Sequence, residues 1–245
     1  MIDFSFMVEA VTRIVPGIPL TLELMAISVA AGFVFALLLA AMRLSRIRPL
    51  DWIARAYVFV FRGTPLLVQM FLIYYGLPQF RELRDTWLWP FLREPYWCAI
   101  LALTLNTAAY ASEIIRGGVQ SVPFGQIEAA RAGEAAGACL FRRIVAPIAL
   151  RQALPAYTNE IILMIKATAL ASIITLAEVT GLAYRLIAET YRAIEVFIVA
   201  GSIYLLLTFA LTRATRLLEW WLSPHLRGAP PTGGKLPVPQ LEQIH

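Results

Sequence analysis

Apolar residues run from about Gly17 to Met42 with only Thr21, Glu23 and Ser28 as polar interruptions, and the run stops at Arg43, Arg46 and Arg48. That pattern predicts a first membrane-spanning helix over 17–42, because about 20 apolar residues cover roughly 30 Å of hydrocarbon. From Asp51 to Phe61 the pattern changes. Asp51 and Arg55 share one helical face while Trp52, Ile53, Tyr57 and Val58 lie broadly opposite, as in an amphipathic elbow lying at the membrane surface. After Arg62-Gly63-Thr64-Pro65 a second span is expected over 65–77, with Pro65 as its start. Residues 81–95 read as a loop in which Glu82, Asp85 and Glu94 offset Arg81, Arg84 and Arg93. A third span is predicted over 96–115, a fourth over 155–179 and a fifth over 194–218. Between the third and fourth, residues 116–154 are too polar to span and too patterned for disorder; they read as helices on the cytoplasmic side. Residues 1–222 thus form one membrane domain, and the Pro/Gly-rich segment 223–245 is expected to be a mobile tail.

Composition agrees with lipid as the main solvent. The 245 residues are 59% hydrophobic and 15% charged, with mean hydropathy +0.69, which leaves too little polar surface for a water-exposed globule. The net charge of +5 does not point to nucleic acid, since the arginines sit between apolar runs and no basic patch is interleaved with stacking aromatics. They orient the chain instead. Placing the 43–55 loop, the 116–154 stretch and the tail on the cytoplasmic side collects most bases there, so the positive-inside rule predicts five spans, N-terminus outside and C-terminus inside. Met1 to Val15 contains Asp3 and Glu9 and no basic leader, which argues against a cleaved signal peptide. Cys98 and Cys139 fall on opposite sides of the membrane and are not expected to pair.

Ionisable groups at membrane depth are the main candidates for chemistry, since each costs about 2.5–3.5 kcal/mol there. Glu160, beside Thr158 and Asn159, offers a carboxylate, a hydroxyl and an amide to an ammonium or guanidinium group. Met164 and Thr168 follow one and two turns on, so Glu160, Met164 and Thr168 share a face able to line a path. The alternative for Glu160 is an interhelical ion pair, for instance with Lys166 or with an arginine of a partner subunit. Asn106 and Tyr110, one turn apart in the third span, form a weaker candidate lining, with polar packing as the alternative. Glu113 and Arg116 read as a local ion pair, and Glu23 as a structural acid at the outer mouth. On the cytoplasmic side, Gly125, Glu128, Ala129, Ala130, Gly133 and Pro147 lie in two short helices of small residues, a knob suited to a cytosolic partner, with an ordinary amphipathic loop as the alternative.

These motifs carry a resemblance. Glu128-Ala129-Ala130, followed by Ile144 and Pro147, resembles the EAA motif of the membrane subunits of ATP-binding-cassette importers. Arg62-Gly63-Thr64-Pro65-Leu66-Leu67-Val68-Gln69, Asn106-Thr107-Ala108-Ala109-Tyr110 and Ser121-Val122-Pro123-Phe124-Gly125-Gln126 look like the polar amino-acid subgroup. Leu154 to Met164 is most similar to permeases for histidine, lysine and arginine and for the opines octopine and nopaline. The resemblance is collinear from about Gly17 to Leu222. It implies an all-α integral membrane protein with the type I importer (MetI-like) fold in the bacterial inner membrane. It also implies coupling helices at 128–147 that dock on an ATPase dimer, a second permease subunit and a periplasmic substrate-binding protein. ATP and Mg would be bound by the ATPase, with no cofactor, catalytic residue or metal in this chain. Two positions depart from the family pattern. Glu134 stands where a turn-forming Gly is usual, so that either a neighbouring Gly takes the turn or coupling suffers. Ala146 replaces the Leu that normally precedes the proline, which should weaken one hydrophobic contact.

Two other classes fit less well. A membrane enzyme needs a convergent set of catalytic groups or metal ligands, yet the only histidines, His225 and His245, lie in the tail. An ion-coupled secondary transporter or channel would account for the intramembrane charges but not for the long patterned cytoplasmic stretch. Gly233-Gly234-Lys235 lacks the spacing and context of a P-loop.

Overall fold

A computed structural model describes residues 3–45, 47–134 and 136–222, apart from the side chains of 218–222. Its described residues are almost all helical, and the expected mobile tail lies outside them. In order the helices are α1 (Phe4–Ile14), α2 (Ile18–Leu44), α3 (Arg48–Gly63), α4 (Leu66–Phe71), α5 (Arg81–Arg84), α6 (Trp89–Leu92), α7 (Pro95–Gln120), α8 (Phe124–Ala132), α9 (Gly137–Leu140), α10 (Ala146–Ala167), α11 (Val179–Thr190) and α12 (Ala193–Leu222). Four stretches are long and apolar enough to cross a membrane: Phe4–Leu44, Pro95–Gln120, Gly137–Ile174 and Ala193–Leu217. A fifth crossing is possible through α3 and the segment Leu66–Gln79, which meet at 103°.

That bend has a local cause. Thr64 and Pro65 are extended, since a residue before proline is pushed out of the helical region. The segment after it tightens through a π-turn at Leu72–Gly76 and a 3-10 turn at Leu77–Gln79. Fourteen residues at 1.5 Å reach only about 21 Å, short of the roughly 30 Å hydrocarbon layer. Carbonyls orphaned at such a break need partners inside the protein. Gln69 supplies them: its amide donates to the carbonyls of Phe61 (2.9 Å) and Thr64 (3.1 Å). Asn106 of α7 completes the set, donating to Gln69 Oε1 at 3.0 Å.

The core forms where α2 lies along α7. A Cβ added at Gly32 would run into the Thr107 side chain, and one at Gly118 would come within 2.6 Å of the Ala149 carbonyl, so these two glycines set how closely α2, α7 and α10 approach. Leu24, Met70, Leu103, Met164 and Ile174 fill the interior. A second cluster joins α1, α11 and α12 through Ile14, Val179, Leu186 and Val196.

The fourth apolar run differs from its sequence-based outline at both ends. Helix begins at Gly137, before Pro155, and continues through a π-turn at Phe141–Val145 into α10. Pro155 sits inside α10, and the bond it cannot make falls at exposed Arg151, where water can serve the free carbonyl. At the other end α10 tightens into a 3-10 turn over Thr168–Ile174, and Thr175 takes φ 74°. Glu178, fully buried, then caps α11: it accepts from the backbone N–H of Thr180 (2.9 Å) and Gly181 (2.8 Å) and from Tyr204 Oη (2.6 Å). Those donors outweigh continuing an apolar helix to Val179.

Candidate substrate pathway and coupling surface

Glu160 is 8% exposed, and Thr107 of α7 donates its hydroxyl to Glu160 Oε1 at 2.9 Å. Thr107 is held there by the absent side chain at Gly32, which lets its methyl fill the α2–α7 crossing. Lys166 is exposed and does not pair with Glu160, so that form of the interhelical pair is not made. Arg62 stands at the end of α3. Arg62 is exposed, and its guanidinium lies 5.1 Å from the ring centre of Tyr110, in cation–π range. Three elements therefore bring a carboxylate, a guanidinium and a phenol ring into one region.

The other expected lining residues divide. Asn159 is exposed beside Glu160 and Tyr110 is half-buried. Met164 and Thr168 are not on an open path: they are 2% and 0% exposed, and the Thr168 hydroxyl bonds back to the Ile165 carbonyl at 2.7 Å. Helical spacing correctly puts them on one face with Glu160, but that face turns into the core against α7. Asn106 is committed to the α3–α4 bend through Gln69, which is the polar-packing alternative. Arg62, Thr107 and Gln69 were not singled out as site residues from sequence. An arginine and a glutamine flanking a Gly-Thr-Pro break were the available signal.

On the cytoplasmic side, α8 stands clear of the core, with Gly125, Glu128, Ala129 and Gly133 exposed and Ala130 and Pro147 half-buried. The turn that ends α8 is made by Glu134 itself, at φ 63°, with its N–H on the Arg131 carbonyl at 3.0 Å. Gly133 has φ −86° and takes no left-handed role, so the turn itself does not fall to that glycine. Gly137, at φ 52°, opens α9 instead.

Ion pairs tie the ends of α2 and α7 to the elbow. Arg43 at the end of α2 reaches Asp51 (3.1 Å) and Glu113 (2.6 Å); Asp51 also pairs with Arg55 (2.8 Å) and Glu113 with Arg116 (2.6 Å). The expected local pair of Glu113 and Arg116 is thus one part of a chain across three helices. Glu23, expected to be structural, accepts from the Tyr96 hydroxyl at 2.5 Å. Cys98 is buried and Cys139 exposed, both free. Among the described residues no group of three or more His, Cys, Asp or Glu side chains is placed to hold a metal.

The chain is similar to several known proteins. The chain is 56% identical over 236 residues to the nopaline transport system permease protein of Agrobacterium fabrum, covering 96% of this chain and 97% of the relative. It is 58% identical to the octopine transport system permease protein of Rhizobium meliloti, covering 92% of each. With the histidine/lysine/arginine/ornithine transport system permease protein of Escherichia coli K12 it shares 41% identity, over 83% of this chain and 86% of that one. Among solved structures, an amino acid ABC transporter crystallised with histidines superposes with TM-score 0.80 at 36% identity, covering 89% of this chain and 98% of that chain. The MetNI methionine transporter shares the fold, with TM-score 0.66 and coverage of 85% and 95%. The family of binding-protein-dependent transport system inner membrane components matches residues 32–223, and the chain, a multi-pass helical permease of the type I importer fold, belongs to that family.

Proposed function

We propose that this permease forms half of the membrane pathway of an ATP-driven importer for cationic amino acids or the opines derived from them. The observation that carries the reading is Glu160, a carboxylate at membrane depth whose one side-chain bond among the described residues is to neutral Thr107. A carboxylate kept there without a close cation suits a substrate that brings its own ammonium or guanidinium. Arg62, exposed on the Tyr110 ring, is the matching cation for a substrate carboxylate, and exposed Asn159 adds an amide. The high identity to the nopaline and octopine permeases supports the same substrate class, since both opines retain the guanidinium of arginine.

Membership of the family and the charge pattern support the remaining parts of the reading. A partner ATPase dimer binds ATP and Mg and receives α8, with Gly125, Glu128, Ala129, Ala130, Gly133 and Pro147 at the contact. A second permease subunit completes the pathway, and a periplasmic binding protein delivers substrate. The N-terminus lies outside and the C-terminus in the cytoplasm, with residues 1–222 as the membrane domain.

The test is uptake by the reconstituted complex of one cationic and one neutral substrate, normalised to assembled complex. Glu160→Gln keeps shape and hydrogen bonding but removes the charge. A charge-assisted bond contributes about 1.5–3 kcal/mol, so uptake of arginine or octopine should fall about tenfold or more, with a smaller loss for glutamine. Equal losses, or none, would make Glu160 a structural residue.

A further inference from the structure

Arg62 lies in the last turn of α3, at the 103° break before the next helix, and the chain is held on both sides of it. The Phe61 carbonyl, one residue before, accepts from the amides of Gln69 (2.9 Å) and Asn106 (3.4 Å). The Thr64 carbonyl, two residues after, accepts from Gln69 at 3.1 Å, and the Thr64 hydroxyl accepts from the same amide at 2.9 Å. The Gln69 oxygen accepts from the Asn106 amide at 3.0 Å. A reversed Gln69 amide would set an oxygen against two carbonyls, so one orientation alone satisfies the group. Both side chains belong to buried residues, 6% and 9% exposed, where an unmatched donor or acceptor is costly.

Little else fixes Arg62. A Cβ added at Gly63 would meet nothing within 4 Å, so the chain beside Arg62 has no packing of its own. Among the described residues its guanidinium makes no ion pair, and it lies 5.1 Å from the centre of the Tyr110 ring. Tyr110 follows Asn106 by four residues on α7 and so shares its face. One helix therefore both clamps the backbone next to Arg62 and seats its side chain. Thr107, between the two, donates to Glu160. Both charges of the candidate site are thus held from α7, Glu160 through Thr107 and Arg62 through Asn106, Gln69 and Tyr110.

We propose that Gln69 and Asn106 are positioning residues for Arg62: their paired amides set where its guanidinium stands, and so select substrates whose carboxylate reaches it while their cation is on Glu160. The inference rests on the reading of Arg62 as the partner of a substrate carboxylate. A bend that served the fold alone would behave differently, because losing an amide there would weaken every substrate alike.

The assembled permease–ATPase complex, purified without its binding protein, would be titrated at equilibrium with radiolabelled arginine and with agmatine, which keeps the guanidinium but has no carboxylate. Arg62→Gln should weaken arginine binding about tenfold and leave agmatine bound no more weakly. Gln69→Met and, separately, Asn106→Ser remove the clamp and should weaken arginine about threefold or more while sparing agmatine. Combined with Arg62→Gln they should add nothing further, as expected of residues that act through one group. If Arg62→Gln weakens both ligands equally, or neither, the reading of Arg62 falls and the proposal with it. If Arg62→Gln behaves as expected but the clamp variants weaken agmatine as much as arginine, or add their full loss to that of Arg62→Gln, the proposal alone is overturned. Unaltered arginine binding in both clamp variants, or failure of both to assemble, overturns it as well.

Discussion

Glu134 is a residue whose backbone conformation runs against its chemistry. A side chain with φ near +60° costs about 1–2 kcal/mol relative to glycine, yet Glu134 accepts φ 63° at the end of α8. The cost is offset because the turn must bring α8 back to α9, and the N–H of Glu134 closes it on the Arg131 carbonyl. Replacing Glu134 by Gly should leave thermal stability unchanged or raised by up to about 1 kcal/mol and preserve substrate-stimulated ATP hydrolysis, because the geometry stays the same. Glu134→Val should lower stability by about 1 kcal/mol or more, since β-branching is least tolerated there. Thermal unfolding of the two variants, read together with ATPase activity, checks this; a destabilised glycine variant would contradict it.

At the scale of elements, α1 depends on its electrostatic end as much as on its apolar contacts. Asp3 caps the helix, and its carboxyl is held well below the usual carboxylate range, first by the Ser5 hydroxyl and next by Arg192. Because the folded-state pKa is depressed, this contribution is complete above the unfolded value of about 3.9 and is lost as pH falls through the folded one. Glu9, Arg13, Glu189 and Arg192 face the same cluster. Hydrogen exchange in α1 should therefore be independent of Asp3 between pH 5 and 8 and accelerate in strong acid. Asp3→Asn should remove the acid-dependent step while keeping the cap. An equal acceleration in that variant would show that Asp3 is not the group responsible. At the opposite end of the molecule, the Arg43, Asp51 and Glu113 side chains are 12%, 23% and 16% exposed, so their pairs are shielded from water and link α2, α3 and α7 into one piece.

For the whole molecule, α8 has no buried residue, and it follows directly from α7, which carries Thr107 and Tyr110 of the candidate pathway. A push on α8 would reach α7 and, through the Thr107–Glu160 bond, α10. Reversing the charge at exposed Glu128 with Lys should cut transport and substrate-stimulated ATP hydrolysis about tenfold or more, with normal insertion of the permease; unchanged ATPase activity would refute a role in coupling. Liposomes holding this chain alone should show no ion-driven uptake.

Much of this arrangement is written in local pattern. Long apolar runs ending in arginines, an amphipathic stretch before Gly-Thr-Pro, and short helices of small residues after α7 depend on neighbours three or four positions apart, and there the sequence suffices. Glu160 stood out for the same reason, being an acid within an apolar run. Which way its face turns did not, because the same helical spacing serves Met164 and Thr168 whether they line a path or pack on α7. The close approach at Gly32, the pairing of Glu160 with Thr107 and the meeting of Arg62 with Tyr110 join residues distant in the chain. Glu178 looked like part of the end of a span until Tyr204 and the N-terminus of α11 gave its carboxylate donors. Sequence alone determined which stretches are apolar enough to enter a membrane, since that depends on summed transfer from water. Only tertiary structure decided which polar groups find partners there, because that depends on which helices lie side by side.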